Sequence, residues 1–272
     1  MLKQEWSKKE ITFVLRKHEA GYSRFEIAKM FNKHFVKDGL SRTQDSIKHC
    51  IETHGQHLEQ DVPRVLFFDL ETSPHKAYIW RQYDNNIDLP MLINDGTILS
   101  FSAKWAGDPD SKIMYFDMRG KEKNLHNDKA LMLKLWSLLD EADIVCGHNV
   151  KKFDIPKTNA RFIVHNIPAP SEYKVIDTLT LARSNFGFFS NKLAHLSEKL
   201  AKKHKKSSHK NFPGFSLWDQ CMKGNKKAWA EMKNYNILDT LALEEVFLEL
   251  SKYAKNNKLV TAALRNYPKK TK

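Results

Sequence analysis

The chain lacks the marks of secreted and membrane proteins. Its three cysteines, Cys50, Cys146 and Cys221, lie far apart with no metal-type spacing. Reduced thiols in a cytoplasmic protein are the simplest reading. No apolar run approaches the ~18 residues of a membrane span, and the N-terminus has no signal-peptide core. Neither a membrane partner nor export is therefore expected. What is present suits one large domain, or a small one plus a medium one: 272 residues, 41% hydrophobic and 28% charged. Lys and Arg exceed Asp and Glu by 45 to 32, a net charge of +13. The excess is uneven, with 11 basic and 8 acidic residues in 1–60, 15 and 17 in 61–182, and 19 and 7 in 183–272. An acidic middle beside a basic last third fits a metal site next to a polyanion track. Lysine-rich surfaces also serve solubility, so charge alone leaves both readings open.

The stretch Val65-Leu66-Phe67-Phe68-Asp69-Leu70-Glu71-Thr72 is an unbroken apolar run that ends on an acid-apolar-acid triplet before Pro74. It reads as a buried strand. Residues two apart on a strand share a face, so Asp69 and Glu71 project together. Two carboxylates side by side repel unless a cation sits between them. A strand fraying into polar loop is the alternative at this point.

Upstream, Ser7-Lys8-Lys9-Glu10 and Ser23-Arg24-Phe25-Glu26 are capping boxes, each with an aromatic before it and an isoleucine after it. The first helix carries Ile11, Val14 and Leu15 and ends at Gly21. The second carries Ile27, Ala28 and Phe31. A third begins near Ser41 or Thr43, carries Ile47 and Ile51, and stops at Gly55. Three short capped helices make a helix-turn-helix module. Trp6-Ser7, Glu10, Gly21-Tyr22-Ser23, Glu26-Ile27-Ala28, Arg42-Thr43 and Ser46-Ile47 resemble Myb/SANT-type domains. That resemblance implies a third helix in the DNA major groove, with Arg42 and Gln44 reading bases and Lys48 holding a phosphate. Asp45 and Glu52 dilute the positive face, and modules of this type also bind proteins.

After a polar linker, 56–63, and the first strand, residues 72–96 read as irregular. Tyr78, Trp80, Arg81 and Tyr83 in that stretch could stack on bases or anchor the loop to the core. Strands are expected over 98–105 and 112–118, giving an antiparallel meander, then a helix through Leu131 to Leu139. A short strand at 143–149 leads into a helix with Asp154 in or near its first turn, where aspartates usually serve only as caps. A further edge strand is expected at 175–178, with Asp177 starting a helix. A helix follows from about Ser190 to Leu200. The lysine-rich run 202–210 reads as a solvated loop or a phosphate-contacting arm. The longest helical pattern, Ala228 to Tyr253, stacks Tyr235 and Asp239 four residues apart on one face.

Taken in order, Asp69-x-Glu71, Asn149-x-x-x-Phe153-Asp154 and Tyr235-x-x-x-Asp239 resemble the three motifs of the DEDD exonucleases, and the tyrosine that of the DEDDy branch. Further matches are Ala103-Lys104-Trp105 and Leu217-Trp218-Asp219, and the resemblance is nearest to the exonuclease domains of family B DNA polymerases and their stand-alone relatives. It implies an α/β fold: a ribonuclease-H-like mixed sheet, three antiparallel strands then parallel ones, flanked by helices, behind the small all-α three-helix domain. The implied layout is 1–55 helix-turn-helix, 56–63 linker, 64–255 exonuclease and 256–272 basic tail. It also implies a 3′–5′ exonuclease in which Asp69, Glu71, Asp154 and Asp239 hold two Mg²⁺ or Mn²⁺ ions. Tyr235 would orient the attacking water, since a tyrosine of ordinary pKa near ~10 stays protonated at neutral pH. Thr72, Asn149 and Phe153 would contact the nucleic acid, DNA rather than RNA. A monomer is expected, with any proofreading role needing a separate polymerase or other replication or repair protein. An RNA-processing exonuclease, or a DNA-binding regulator built on an inactive nuclease fold, are the competing readings.

Overall fold

A computed structural model describes residues 6–19, 22–35, 41–55, 62–81, 83, 86–205, 209–254 and 256–267. Gly21, most of the expected linker (56–61), residues 206–208 of the lysine run and 268–272 of the tail lie outside these. The chain divides into two compact units, Met1–Asp61 and Val62–Lys272.

The first unit holds helices α1 (Lys8–Glu19), α2 (Arg24–Phe35) and α3 (Gln44–His54). Both capping boxes form: Ser7 N–H donates to Glu10 Oε2 at 2.8 Å and Ser23 N–H to Glu26 Oε2 at 2.8 Å, each answered by a serine Oγ accepting from the glutamate N–H. Thr43 caps α3 by accepting from Ser46 N–H. Val14, Ile27, Phe31, Ile47 and Cys50 form the core where the three helices meet, with Trp6 edge-on to Phe31.

The second unit is built on a five-stranded sheet whose spatial order is Met114–Asp117, Ile98–Trp105, Val65–Thr72, Ile144–Gly147 and Lys174–Asp177. Its strands are β1 (Val65–Thr72), β4 (Ile98–Trp105), β5 (Met114–Asp117), β6 (Ile144–Gly147) and β7 (Lys174–Asp177). β1, β4 and β5 pair antiparallel, while β1–β6 and β6–β7 are parallel. The fold is therefore the mixed α/β sheet of the ribonuclease-H type, flanked by helices. β1 lies in the middle because it is apolar on both faces. Leu66, Phe68 and Leu70 enter one core, with α4 (Lys129–Glu141), α5 (Asp154–Val164) and α8 (Ser216–Met222). Val65 and Phe67 enter the other, beside α6 (Thr178–Asn185), α7 (Leu193–Leu200) and the long α9 (Lys226–Ser251), where Phe67 meets Phe247 edge-on at 5.4 Å. Two further short strands, β2 (Lys76–Ala77) and β3 (Leu92–Asn94), pair antiparallel inside the stretch expected to be irregular. Tyr78, Trp80 and Tyr83, 71%, 88% and 87% exposed, do not anchor that stretch to the core.

A polar seam fixes α9 against the sheet. Asn236, Thr240 and Glu244, four residues apart, face alternate residues Ser100, Ser102 and Lys104 of β4. Ser102 Oγ donates to the Asn236 carbonyl at 2.7 Å and lies 2.5 Å from Thr240 Oγ1. Lys104 Nζ meets Glu244 Oε2 at 2.5 Å. The sequence sets both periods, four on a helix and two on a strand, so the seam admits one register. Part of the segment read as a tail also folds: α10 (Lys258–Ala263) buries Val260 and Ala263, and Tyr267 donates its hydroxyl to Glu244 Oε1 at 2.6 Å. Asn266 closes over Gly107, whose φ is +78° and where an added Cβ would come within 2.4 Å of the Asn266 carbonyl oxygen, so only glycine fits. On the other side of the sheet, Asp128 accepts from Ile98 N–H and is gripped by Arg161 (2.7 Å) and His165 (2.5 Å), anchoring α5 to β4.

Candidate metal centre

Three of the expected acids converge. Asp69 and Glu71 from β1 and Asp239 from α9 each offer an oxygen within 4.8 Å of the other two. β1 supplies its pair because residues two apart share a face, the same face that upstream puts Phe67 against α9. The seam sets α9 so that Asp239 meets them. Two neighbours hold the carboxylates: Asn236 Nδ2 donates to Asp69 Oδ2 at 2.8 Å, and Trp218 Nε1 donates to Glu71 Oε2 at 3.1 Å.

Asp154 stands beside this set rather than in it. It opens α5, and its Oδ1 accepts the N–H of Leu70 at 3.2 Å, past the point where β6 stops pairing with β1 at Phe67. Burial pushes its carboxyl up to about 7; N–H donors from Leu70 and its own backbone pull the other way, and the Asp177 carboxylate adds to the rise. Taking a carboxylate out of water disfavours its charged form. An all-oxygen acidic set, with Glu71, Asp154 and Asp239 buried and Asp69 half-buried, is what a hard divalent cation satisfies, so these residues fit such an ion.

Tyr235 is buried one turn before Asp239, its ring edge-on to His209 (5.2 Å) and Trp218 (6.0 Å). A cleft of about 1140 Å³ opens beside it, lined by His209, Lys210, Phe212, Lys227, Asn234 and Tyr235 among others. Across β6, Asn149 adopts a left-handed φ of +64°, held by Asp177 accepting the N–H groups of Asn149 and Lys151. Asp177 also caps α6. Phe153 is exposed just ahead of Asp154, and Thr72 ends β1 half-buried, beyond a bulge at Glu71/Thr72.

In the first unit the three expected DNA-contacting residues separate. Gln44 and Lys48 are exposed on α3, Lys48 pairing with Glu52 at 3.8 Å. Arg42 turns inward: its guanidinium lies 4.0 Å over the Trp6 ring and 3.9 Å from Glu10, with only 11% of the side chain exposed. An arginine beside a tryptophan and a glutamate gains a cation–π contact and an ion pair by doing so.

Sequence reasoning assigned no role to Asn236, Trp218 or His209. Asn236 carried a usable signal, since it sits between Tyr235 and Asp239 on a helix whose other face is packed. His209 carried none, being hidden in a lysine run.

The chain belongs to the RNase_H superfamily, which its residues 95–251 match. β1, with Asp69 and Glu71, precedes the matched span. Among solved structures it is similar to the family B DNA polymerase of Pyrobaculum calidifontis, at 15% identity and a TM-score of 0.49. That similarity covers 74% of this chain and 27% of the polymerase. No curated protein sequence matches it.

Proposed function

We propose that the protein is a metal-dependent 3′–5′ exonuclease of the DEDDy type acting on DNA, with the first unit as a Myb/SANT-like targeting module. The observation that carries the reading is the convergence of Asp69 and Glu71 from β1 with Asp239 from the distant α9, within 4.8 Å. Tyr235 beside Asp239 and Asp154 beside Leu70 support it. These four acids would hold two Mg²⁺ or Mn²⁺ ions, which when bound supply Lewis-acid charge at the scissile phosphate and lower the pKa of water. The chain's own residues do the rest. Asn236 and Trp218 aim the carboxylates and limit their motion, as outer hydrogen-bond partners of metal ligands do. The Tyr235 hydroxyl orients the attacking water, and Asn149, Phe153 and Thr72 position the terminal nucleotide. Lys210 and Lys227 at the cleft attract the phosphate backbone. The exposed rings of Tyr78, Trp80 and Tyr83 offer sequence-tolerant stacking for unpaired bases.

The test uses 5′-labelled single-stranded DNA, duplex DNA and RNA with Mg²⁺ or Mn²⁺, beside Asp69→Ala and a covalently closed circle. A ladder of shortened 5′-labelled DNA that needs metal and is lost in Asp69→Ala is expected. Cleaved circles overturn the exonuclease assignment, preference for RNA overturns the substrate, and absence of metal-dependent hydrolysis overturns the enzyme. For the first unit, DNA affinity unchanged on deleting residues 1–55 removes its targeting role.

A further inference from the structure

The lysine-rich run is fastened to α9 on either side of the site. At its start, Glu245 accepts the N–H groups of Lys202, Lys203 and His204 at 2.6, 3.1 and 3.0 Å and meets His204 Nδ1 at 2.6 Å. Just past its end, Asn211 donates to Glu231 through its backbone (3.2 Å) and its side chain (2.7 Å). Fourteen residues of helix separate those glutamates, about 21 Å at ~1.5 Å per residue, and Tyr235 lies between them. The described residues on either side, 202–204 and 211, are therefore both held on the helix that bears Tyr235.

His209 is what this segment brings. Its ring meets Tyr235 edge-on at 5.2 Å and 74°, and Trp218 at 5.3 Å and 88°. Its Nδ1 lies 2.7 Å from the carbonyl oxygen of Phe212. A carbonyl only accepts, so Nδ1 carries a hydrogen in either protonation state, and that bond fixes the plane of the ring. Trp218, the third ring, is itself tied to Glu71. Edge-to-face contacts of this kind have preferred angles, so each ring restricts the next.

We propose that His209 is a positioning residue for Tyr235: pinned by the Phe212 carbonyl, it wedges the tyrosine ring against Trp218 and so holds the hydroxyl where the reaction needs it. This rests on the reading of Tyr235 as the water-orienting group. It gives the basic segment a task beyond attracting phosphate, because fastening at Glu231 and Glu245 is what delivers His209 to the site.

The experiment is a double-mutant cycle on single-stranded DNA with Mg²⁺ or Mn²⁺, measuring kcat and KM for wild type, His209→Ala, Tyr235→Phe and the double variant. Misplacing a catalytic group by about 1 Å can cost about 100-fold. His209→Ala is accordingly expected to lower kcat by about 10- to 100-fold with KM changed less than about 3-fold. In the Tyr235→Phe background, which has no hydroxyl to aim, the same substitution should cost less than about 2-fold. His209→Phe, which keeps a ring but loses the bond to Phe212, should recover only part of the loss. Where His209→Ala fails to fold, His209→Asn keeps a donor for Phe212 without the ring and gives the same comparison. Additive losses in the cycle, or an effect on KM alone, overturn the positioning role while leaving the exonuclease reading intact. A wild type without metal-dependent hydrolysis overturns both.

Discussion

Lys104→Met tests how α9 is held over the acids. Lys104 is 2% exposed, and its ammonium meets Glu244, itself buried, at 2.5 Å. Removing the lysine strands the Glu244 carboxylate, which keeps the Tyr267 hydroxyl as a donor at 2.6 Å. Breaking a buried pair from one side costs about 3–5 kcal/mol, far more than the pair contributes over an apolar substitute. Met fills the space of the lysine stem, so little of the loss comes from packing. Across a unit of about 200 residues, each ~1 kcal/mol moves Tm by ~2–4 °C, so the single variant should melt roughly 6–20 °C lower. Adding Glu244→Gln removes the stranded charge and keeps an acceptor for Tyr267. An amide N–H₂ left without a partner costs about 1–3 kcal/mol, so the double variant should lie closer to wild type than Lys104→Met alone. Melting followed by near-ultraviolet circular dichroism on the full chain reads both. A loss below ~1 kcal/mol in Lys104→Met, or a double variant as unstable as the sum of the singles, refutes the reasoning.

Two further outcomes follow from contacts around the site. Trp218→Phe keeps a ring beside His209 and Tyr235 but removes the donor to Glu71, and should weaken apparent metal affinity by about 10–100-fold with Tm little changed, read by titrating activity against Mn²⁺. Burial raises the Glu245 pKa, but the N–H groups of Lys203 and Lys202 and the His204 ring outweigh it, leaving it below the ordinary 4.5. A lowered folded value means that the stabilisation is complete above pH 4.5 and lost as pH falls through the folded pKa. Amide exchange at 202–204 should therefore rise, relative to α9, only below that pH, and Glu245→Gln should show raised exchange at neutral pH; protection that ignores both changes contradicts the anchoring.

Much of the second unit was legible because β1 and α9 announce themselves. An apolar run of strand length has one good home, the middle of a sheet, and the two-residue period then forces Asp69 and Glu71 to one face. The four-residue spacing of Tyr235 and Asp239 is equally direct. Other features depend on what covers what. Ser100, Ser102 and Lys104 look like the wet face of a strand until α9 lies on them. Lys76–Ala77 and Leu92–Asn94 are too short to carry a period, so their pairing did not show. Arg42 looked like a base-reading cation because nothing local reveals that Trp6 and Glu10 fold back to meet it. Asp128, Arg161 and His165 are an acid, a base and a histidine spread over thirty-eight positions, and only the packing of α5 against β4 makes them one cluster. His209 is the sharpest case, since a lysine-rich segment reads as solvated loop or phosphate-contacting arm and neither reading singles out its one ring beside Tyr235.

The central claim is that Asp69, Glu71 and Asp239, with Asp154 beside them, form a divalent-metal centre. Titration of the full chain with Mn²⁺, followed by the loss of the free-ion electron paramagnetic resonance signal, tests it without any assumption about substrate. Wild type is expected to take up two ions per chain, and Asp69→Asn and Asp239→Asn are each expected to weaken uptake by about tenfold or more while circular dichroism stays unchanged. Uptake identical in wild type and both variants would contradict it.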